Sequence, residues 1–181
     1  MTDMHPAGPA GPIPPTGRYA IDPEASSVAF RTRHMFGLAP VTGTFAIRDG
    51  GIDIADPIAE SRVRVEVDVA SFDTGNRQRD DSVRSARYLD AGRHPTITFT
   101  SQRLDPAGGA SVLEGSLTAK GVTRPVRLVG LTIESPTSAD PDSFVALATT
   151  RVDRTEFGVT ASRGMAGRHL DVSLRVVCLR R

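Results

Sequence analysis

An eight-residue run, RVRVEVDV at positions 62–69, restricts the fold more than any other stretch, because valine alternates in it with a charged side chain without a fault. Successive side chains of a β-strand point to opposite faces of a sheet, so the run predicts a strand with one apolar and one solvated face. A helix would divide the same valines between two opposite sides. The chain therefore needs a sheet with one buried face.

The same alternation returns along most of the chain after Arg18 and predicts an antiparallel, all-β domain. Apolar residues recur at every second position in further stretches at 28–32, 41–47, 97–99, 113–119 and 170–176. Turn signals such as Asp49-Gly50-Gly51 separate these stretches. The pattern gives about eight or nine strands, without internal repeats and without the alternation of strands and helices that is typical of parallel sheets.

Alternation alone is compatible with two architectures. A sandwich buries one face of each of two sheets, whereas a closed barrel buries the inner face of a single sheet and has no edges. Strands of about eight to ten residues favour the barrel, and eight strands leave an interior that side chains fill or that holds one small ligand. Strand length therefore favours a barrel, and the alternation by itself leaves the sandwich open.

The first seventeen residues are rich in proline and glycine and show no alternation. We expect a disordered tail over residues 1–17 and one barrel domain over residues 18–181. A secretory signal peptide would need a basic start followed by an unbroken apolar stretch, and the chain has neither near its beginning. No run approaches the roughly 20 apolar residues of a membrane helix. We therefore expect a cytoplasmic protein without stable membrane insertion.

Composition and motifs argue against several classes of function. The formal net charge of +1, with both signs interspersed, offers no surface for nucleic acid. The single cysteine, Cys178, excludes an intramolecular disulfide and a cysteine-based zinc cluster, and we expect it to be buried. The dispersed histidines form no local metal motif, and no P-loop, dinucleotide-binding or serine-hydrolase motif is present. We predict no catalytic residue and no metal site.

A charged segment at 79–101, RDDSVRSARYLDAGRHPTITFTS, interrupts the strands and predicts one short helix that starts near Arg79. Its acidic residues favour a helix N-terminus, and a narrow apolar stripe continues as far as Leu89. Two interpretations stay open. The helix is a solvated crossover at one end of the barrel, or it is a lid in which Arg79, Asp80 and Arg84 contact the polar part of a ligand.

One histidine and two glycines indicate whether the interior of the barrel is filled or open. The alternation places His34 on the apolar face with Phe30, either as a hydrogen-bonded core histidine or as a polar contact in a binding cavity. Gly43 and Gly115 also fall on inward positions. They would relieve crowding there, which is consistent with an open interior and equally with a bulge in the strand.

Five stretches of the chain resemble the YceI-like family, whose members are described as polyisoprenoid-binding proteins with a lipocalin-like barrel. The stretches are IDPEASSVAF at 21–30, RHMFGLAPVTGTF at 33–45, the charged segment at 79–101, GSLTAKGVTRPVRL at 115–128 and DRTEFGV at 153–159. They follow the family's order and spacing over residues 18–178. The resemblance implies a bacterial protein that folds as an extended eight-stranded antiparallel lipocalin-like barrel with a short helical insertion. Its apolar tunnel would hold a long-chain lipid, such as a polyprenyl chain, a quinone tail or a fatty amide. It implies no catalysis and no cofactor other than such a lipid.

The alternation and the resemblance together give the candidate ligand-binding residues. These are Phe30, His34, Phe45, Val65, Arg79, Asp80, Arg84, Tyr88, Phe99, Leu117 and Phe157. The expected partner is a long-chain lipid and not a nucleic acid, and a homodimer stays open. Two alternatives remain: a lipid-modifying or hydrolytic enzyme that uses His34 with Asp80 or Ser82, and a structural or stress-related domain with a filled core.

Overall fold

The computed structural model describes residues 12–105, 111–134 and 142–181, so most of the predicted tail, residues 1–11, lies outside the described residues. The ten strands are β1 Gly17–Ile21, β2 Ser27–His34, β3 Ala39–Phe45, β4 Ile47–Ile54, β5 Arg62–Asp68, β6 Thr96–Asp105, β7 Ser111–Ala119, β8 Val122–Glu134, β9 Ser143–Asp153 and β10 His169–Arg180. One α-helix, α1 Arg77–Arg84, precedes β6, and short 3-10 helices occupy Ile58–Glu60, Val69–Ser71 and Arg154–Phe157.

The strands form a single antiparallel sheet that closes on itself. Its order runs from β1 to β4 and then through β5 to β10, and a further pairing of β10 with β1 completes an eight-stranded barrel. The other two strands, β2 and β3, form a hairpin that continues β1 and β4 beyond the closed ring, and β2 pairs with the first half of β10. The prediction of an eight-stranded antiparallel barrel is confirmed, and the sandwich is excluded because one closed sheet is present.

The barrel has two different ends. At the helical end lie α1, the turn at residues 35–38 between β2 and β3, and the segment at residues 154–168 between β9 and β10. At the opposite end lie residues 12–16 and the 3-10 helix Ile58–Glu60. Longer strands such as β10 run from one end to the other, whereas β1 and β2 each pair with one half of β10. The position of a residue along a long strand therefore gives its depth in the barrel.

The valines of β5 face the barrel interior, as the alternation predicts. Near the opposite end lies a cluster of buried apolar residues, in which the rings of Tyr19 and Phe144 meet edge to face with centroids 4.9 Å apart. Cys178 is fully buried there, and burial raises the pKa of its thiol to about 12. A thiol that stays protonated and out of contact with water is an inert packing group, as expected for this cysteine.

The inward glycines do not leave open space. A Cβ at Gly43 would collide with the ring of Phe30, and a Cβ at Gly115 would collide with the ring of Phe99. Each aromatic ring therefore lies flat over a glycine of the neighbouring strand, which is a close approach that only glycine permits. The interpretation of these two glycines as a sign of empty volume is wrong, because they make room for rings that line the interior.

The barrel begins slightly before the predicted boundary. Gly17 already belongs to β1, and Pro14 is buried against the interior at the opposite end. The Tyr19 hydroxyl donates to the Pro15 carbonyl at 2.8 Å, and Arg180 donates to the Thr16 carbonyl at 3.1 Å. Residues 12–17 pack on the barrel because a proline ring is apolar and has no N–H group that needs a partner.

The fit of the Phe99 ring over Gly115 predicts a specific loss of stability. Gly115→Ala should lower the free energy of unfolding by about 1–3 kcal/mol, because the added methyl forces the ring or the backbone to move. Gly92→Ala is the matched control, since a Cβ at Gly92 meets no atom within 4 Å. Urea denaturation should leave the control unchanged or slightly more stable. Equal stability of the Gly115→Ala variant and the wild type would contradict this packing.

Candidate functional site

The barrel encloses a cavity of about 360 Å³ that extends from the helical end toward the opposite end. Its volume lies within the range of ligand sites, roughly 300–1,000 Å³. Branched aliphatic side chains such as Val65, Ile97, Leu117 and Leu174 line its middle. These side chains leave the centre of the barrel unfilled, as in eight-stranded barrels that hold one small ligand.

The polar side chains of the cavity wall gather at the helical end. They are Thr32, Arg33, His34, Arg79, Tyr88, Thr150 and Arg154. Among the described residues of the opposite end, Ser61 is the one polar side chain of the wall, and its hydroxyl accepts from the Ala55 N–H at 3.0 Å. Polar residues are thus concentrated at the helical end, although the surface that the wall presents to the cavity is almost entirely apolar.

Three phenylalanines form an aromatic cluster on the wall near the helical end. Phe30 stacks on Phe72 with centroids 5.3 Å apart, and Phe45 meets both rings at 5.6 and 5.3 Å. Phe30 and Phe45 are predicted site residues, whereas sequence reasoning missed Phe72. The sequence pattern gives little indication of Phe72, because the alternation of β5 ends at Val69, where the chain enters a 3-10 turn.

The helix of the charged segment begins at Arg77, two residues before the predicted start at Arg79. It ends at Arg84, before the predicted apolar stripe ends at Leu89. Asn76 is its N-cap, and the Asn76 side chain accepts from the Arg79 N–H at 3.0 Å. The helix ends at Arg84 because Ser85 has an extended backbone. Leu89 therefore reaches the cavity wall from the turns after the helix and not from its last turn.

Asp80 lies behind the cavity wall and fastens the loop that leads into α1. It is 4% exposed, and it accepts from the Thr74 N–H at 3.0 Å and from the Thr74 hydroxyl at 2.5 Å. Burial on its own raises the pKa of Asp80, but the hydrogen bonds from Thr74 and the charges of Arg84 and Arg79 outweigh it and hold the pKa below its usual value. Asp80 is therefore an ionised anchor.

Arg84 also lies behind the cavity wall. Its Nη2 donates to the Phe72 carbonyl at 2.6 Å, and its Nη1 forms an ion pair with Asp81 at 3.1 Å. These contacts tie the end of α1 to the aromatic cluster. Arg84 therefore positions Phe72, which lines the cavity, and does not itself reach the cavity.

Arg79 and Tyr88 do reach the cavity. The Nε of Arg79 donates to the Thr74 hydroxyl at 2.8 Å, and its other N–H groups make no hydrogen bond within the described part of the chain. The Tyr88 hydroxyl lies 2.6 Å from the Ser162 hydroxyl, which joins the charged segment to the 154–168 segment. Arg79 can therefore offer free donors to a ligand at the helical end.

Arg154 holds the 154–168 segment against the barrel. Its guanidinium donates to the carbonyls of Gly167, Val159 and Ala166 at 2.7, 2.6 and 3.1 Å. Burial lowers the pKa of Arg154, but three carbonyl acceptors support the cation. Phe157, a predicted site residue, follows in the same 3-10 helix and lines the cavity.

The structure brings nine of the eleven predicted site residues to one cavity, and it places Asp80 and Arg84 behind the wall. The nine are Phe30, His34, Phe45, Val65, Arg79, Tyr88, Phe99, Leu117 and Phe157.

No hydrogen bond joins His34 to Asp80 or Ser82, which are both described. Residues 12–105, 111–134 and 142–181 contain no cluster of three side chains able to hold a metal ion. No helix in these ranges is long and apolar enough to span a membrane.

Fold and cavity define a lipocalin-like barrel with a hollow apolar interior, and comparison with known proteins supports this class. A family model described as the YceI-like domain matches residues 19–178. A UPF0312 protein of Ectopseudomonas mendocina is 33% identical over 170 residues, with 90% of this chain and 87% of that protein covered. One from Pseudomonas paraeruginosa is 30% identical over 169 residues, with 90% and 86% covered. The chain belongs to the YceI-like family.

Solved structures share the fold. BcnA of Burkholderia cenocepacia superposes with a TM-score of 0.74 at 23% identity, over 87% of this chain and 98% of that one. A polyisoprenoid binding domain from Saccharophagus degradans, described as implicated in plant cell wall breakdown, superposes with a TM-score of 0.67 at 15% identity, over 90% and 98%. At these identities the likeness concerns the fold.

The anchoring role of Asp80 predicts an acid-dependent loss of stability. Asp80→Asn should lower the free energy of unfolding at neutral pH by about 1–3 kcal/mol, because a charged acceptor of two hydrogen bonds is lost. Since the pKa of Asp80 is lower in the folded state, its contribution is present above the unfolded value of about 3.9 and disappears as the pH falls through the folded value. The variant should therefore lose less stability than the wild type when acidified below about pH 4.

The matched control is Asp81→Asn, whose carboxylate is 62% exposed and pairs with Arg84 and Arg77 at the surface. Chemical denaturation at several pH values should give a change below about 1 kcal/mol for this variant. An Asp80→Asn protein as stable as the control at neutral pH would show that Asp80 does not anchor the loop.

Proposed function

We propose that the barrel binds one long-chain apolar lipid, stores or transports it, and catalyses no reaction on it. The observation that carries the proposal is an almost entirely apolar cavity whose polar wall residues are concentrated at one end. A featureless hydrocarbon chain has no fixed position in an apolar tunnel, so a few polar groups at one end are needed to hold its head. The polyisoprenoid binding domain from Saccharophagus degradans, which has the same fold, supports an isoprenoid chain as the ligand class.

Burial of the tail supplies most of the affinity. Each buried CH₂ group is worth about 0.8 kcal/mol, so a tail of about ten such groups gains about 8 kcal/mol. Association costs about 4–15 kcal/mol, which removes most or all of that gain. Short chains should therefore bind weakly, and the affinity should rise with chain length until the cavity is full. An isoprenoid alcohol, an isoprenoid quinone or a fatty amide meets this requirement.

The head of the ligand lies beside Arg79, Tyr88 and His34 in this proposal. The free N–H groups of Arg79 suit a phosphate or carbonyl oxygen, because a guanidinium donates several hydrogen bonds from one plane. His34 lines the same end of the cavity, and its side chain makes no hydrogen bond within the described residues. Both groups are thus available to a ligand.

The absence of a catalytic pair at His34 favours binding over catalysis. A general base acts on a nucleophile within hydrogen-bond reach, and a third group usually orients the base. In the described residues Asp80 is bound to Thr74, and Ser82 is exposed without a hydrogen bond to His34. The cavity therefore supports a binding protein and not a lipid-modifying enzyme.

Filling the cavity should abolish binding without unfolding the barrel. Leu117→Trp places a large ring into the middle of the cavity, so a long-chain fluorescent fatty amide should bind at least about tenfold more weakly. The control is Val129→Trp, because Val129 is exposed on the outer face of β8. Fluorescence titration measures both, and circular dichroism checks the fold. A folded Leu117→Trp protein with wild-type affinity would show that the chain does not lie in the cavity.

The role of Arg79 depends on the charge of the ligand head. For a prenyl diphosphate, Arg79→Ala should weaken binding strongly and reduce its salt dependence. For an uncharged prenyl alcohol or amide, the loss should be smaller and nearly independent of salt. Arg77→Ala is the control, because the Arg77 side chain is 96% exposed on the same helix. Unchanged affinity of the Arg79→Ala protein for both types of probe would remove Arg79 from the site.

A further inference from the structure

Four exposed apolar side chains form a patch, here called the apolar tip, at the helical end of the barrel. Phe36 and Leu38 in the β2–β3 turn are 78% and 82% exposed, and Met35 and Met165 beside them are about half exposed. Backbone hydrogen bonds of 2.8 Å from Met35 to Met165 and from Phe36 to Gly164 hold the two segments together. The tip is therefore a defined part of the fold.

The turn of the apolar tip has an unfavourable backbone for its residues. Met35 and Phe36 adopt left-handed φ values of 52° and 56°, and Gly37 follows at 86°. Turns of this kind favour glycine and asparagine, since a bulky side chain strains the left-handed region. Large apolar residues at strained, exposed positions are typical of a site that contacts something other than water.

The apolar tip lies directly beside the cavity wall at the helical end. An outer groove lined by Phe36, Gly37 and Arg168 shares four wall residues with the cavity, namely Thr32, Arg33, Ala166 and Gly167. Gly167 packs tightly on β2, since a Cβ there would collide with Thr32 and Arg33. A surface in contact with the tip would thus meet the barrel where the head of the ligand is proposed to lie.

The two segments that form the apolar tip carry positive charge. Residues 31–38 and 159–169 contain four arginines and no aspartate or glutamate. Three arginines near the tip, Arg33, Arg87 and Arg163, form no ion pair with the described residues. The nearby carboxylates Asp153 and Asp171 are paired with Arg168 and Arg151. An apolar centre with a basic rim fits the interface of an anionic lipid bilayer.

We propose that the apolar tip inserts into an anionic lipid surface, so that the barrel exchanges its ligand with a bilayer through the helical end. This inference rests on the proposed function, because a long apolar chain dissolves in a bilayer and not in water. The tip enters the interfacial layer and the arginines attract anionic head groups. Attachment is reversible, since one turn buries far less apolar surface than an anchoring helix does.

Flotation of the full chain with lipid vesicles tests the proposal. The wild-type protein should float with vesicles that contain phosphatidylglycerol and far less with pure phosphatidylcholine. The variant Phe36→Asn with Leu38→Ser should lose about tenfold or more of this binding. It keeps the turn, because asparagine tolerates a left-handed backbone. Ile13→Ser removes an exposed apolar side chain at the opposite end and should bind as the wild type does.

A second variant tests the basic rim, and two further outcomes overturn the proposal. Arg163→Gln should weaken binding to the anionic vesicles and leave weak binding to phosphatidylcholine unchanged. Wild-type protein that floats with neither type of vesicle overturns docking. A wild-type dimer that the Phe36→Asn, Leu38→Ser variant converts to monomer in analytical ultracentrifugation overturns it too, since the tip would then be the contact between two copies.

A solution assay separates this proposal from the proposed function. A fatty amide probe added from solvent, without vesicles, should bind the tip variant with wild-type affinity, because Phe36 and Leu38 do not line the cavity. Vesicle binding without probe binding supports docking and rejects lipid storage. Probe binding without vesicle binding supports lipid storage and rejects docking.

Discussion

Closure of the sheet along β10 is the constraint on which the rest of the molecule depends. The second half of β10 pairs with β1 and closes the eight-stranded ring. Its first half pairs with β2 and attaches the β2–β3 hairpin to the barrel. In the gap between β1 and β2, Val177 donates to the Ser26 hydroxyl and accepts from the Asp22 N–H, each at 2.9 Å. Without this seam, two sheet edges would be exposed and water would enter the apolar interior.

The closed ring explains why the interior is hollow and why polar wall residues are concentrated at one end. Eight strands with branched aliphatic side chains on the inner face leave a central space. At the opposite end, Pro14, Phe144 and other apolar side chains line that space, whereas at the helical end the segments around α1 and at 154–168 bring Arg79, Tyr88 and Arg154 to the wall. The polar residues of the wall come partly from these connecting segments and partly from the strands β2 and β9, which supply His34 and Thr150.

Much of the fold and part of the site could be predicted from periodicity, since period-two alternation assigns each residue to a face. His34, Val65 and Leu117 reach the cavity for this reason. The roles of Asp80 and Arg84 could not be predicted, because the Thr74 and Phe72 partners lie in irregular backbone 6 and 12 residues away. The two inward glycines were misleading because their meaning depends on which side chain the strand register places opposite them.

Methyl NMR of the protein during titration with geranylgeraniol tests the central claim most directly, because it reports where a long chain lies. The account predicts that methyl resonances of inward residues such as Val65, Leu117 and Leu174 shift together and saturate at one equivalent. Methyl groups of Val129 and Leu179, which are exposed on the outside, should stay unchanged. Shifts confined to outward methyl groups, or no saturable shift at all, would contradict a lipid inside the barrel.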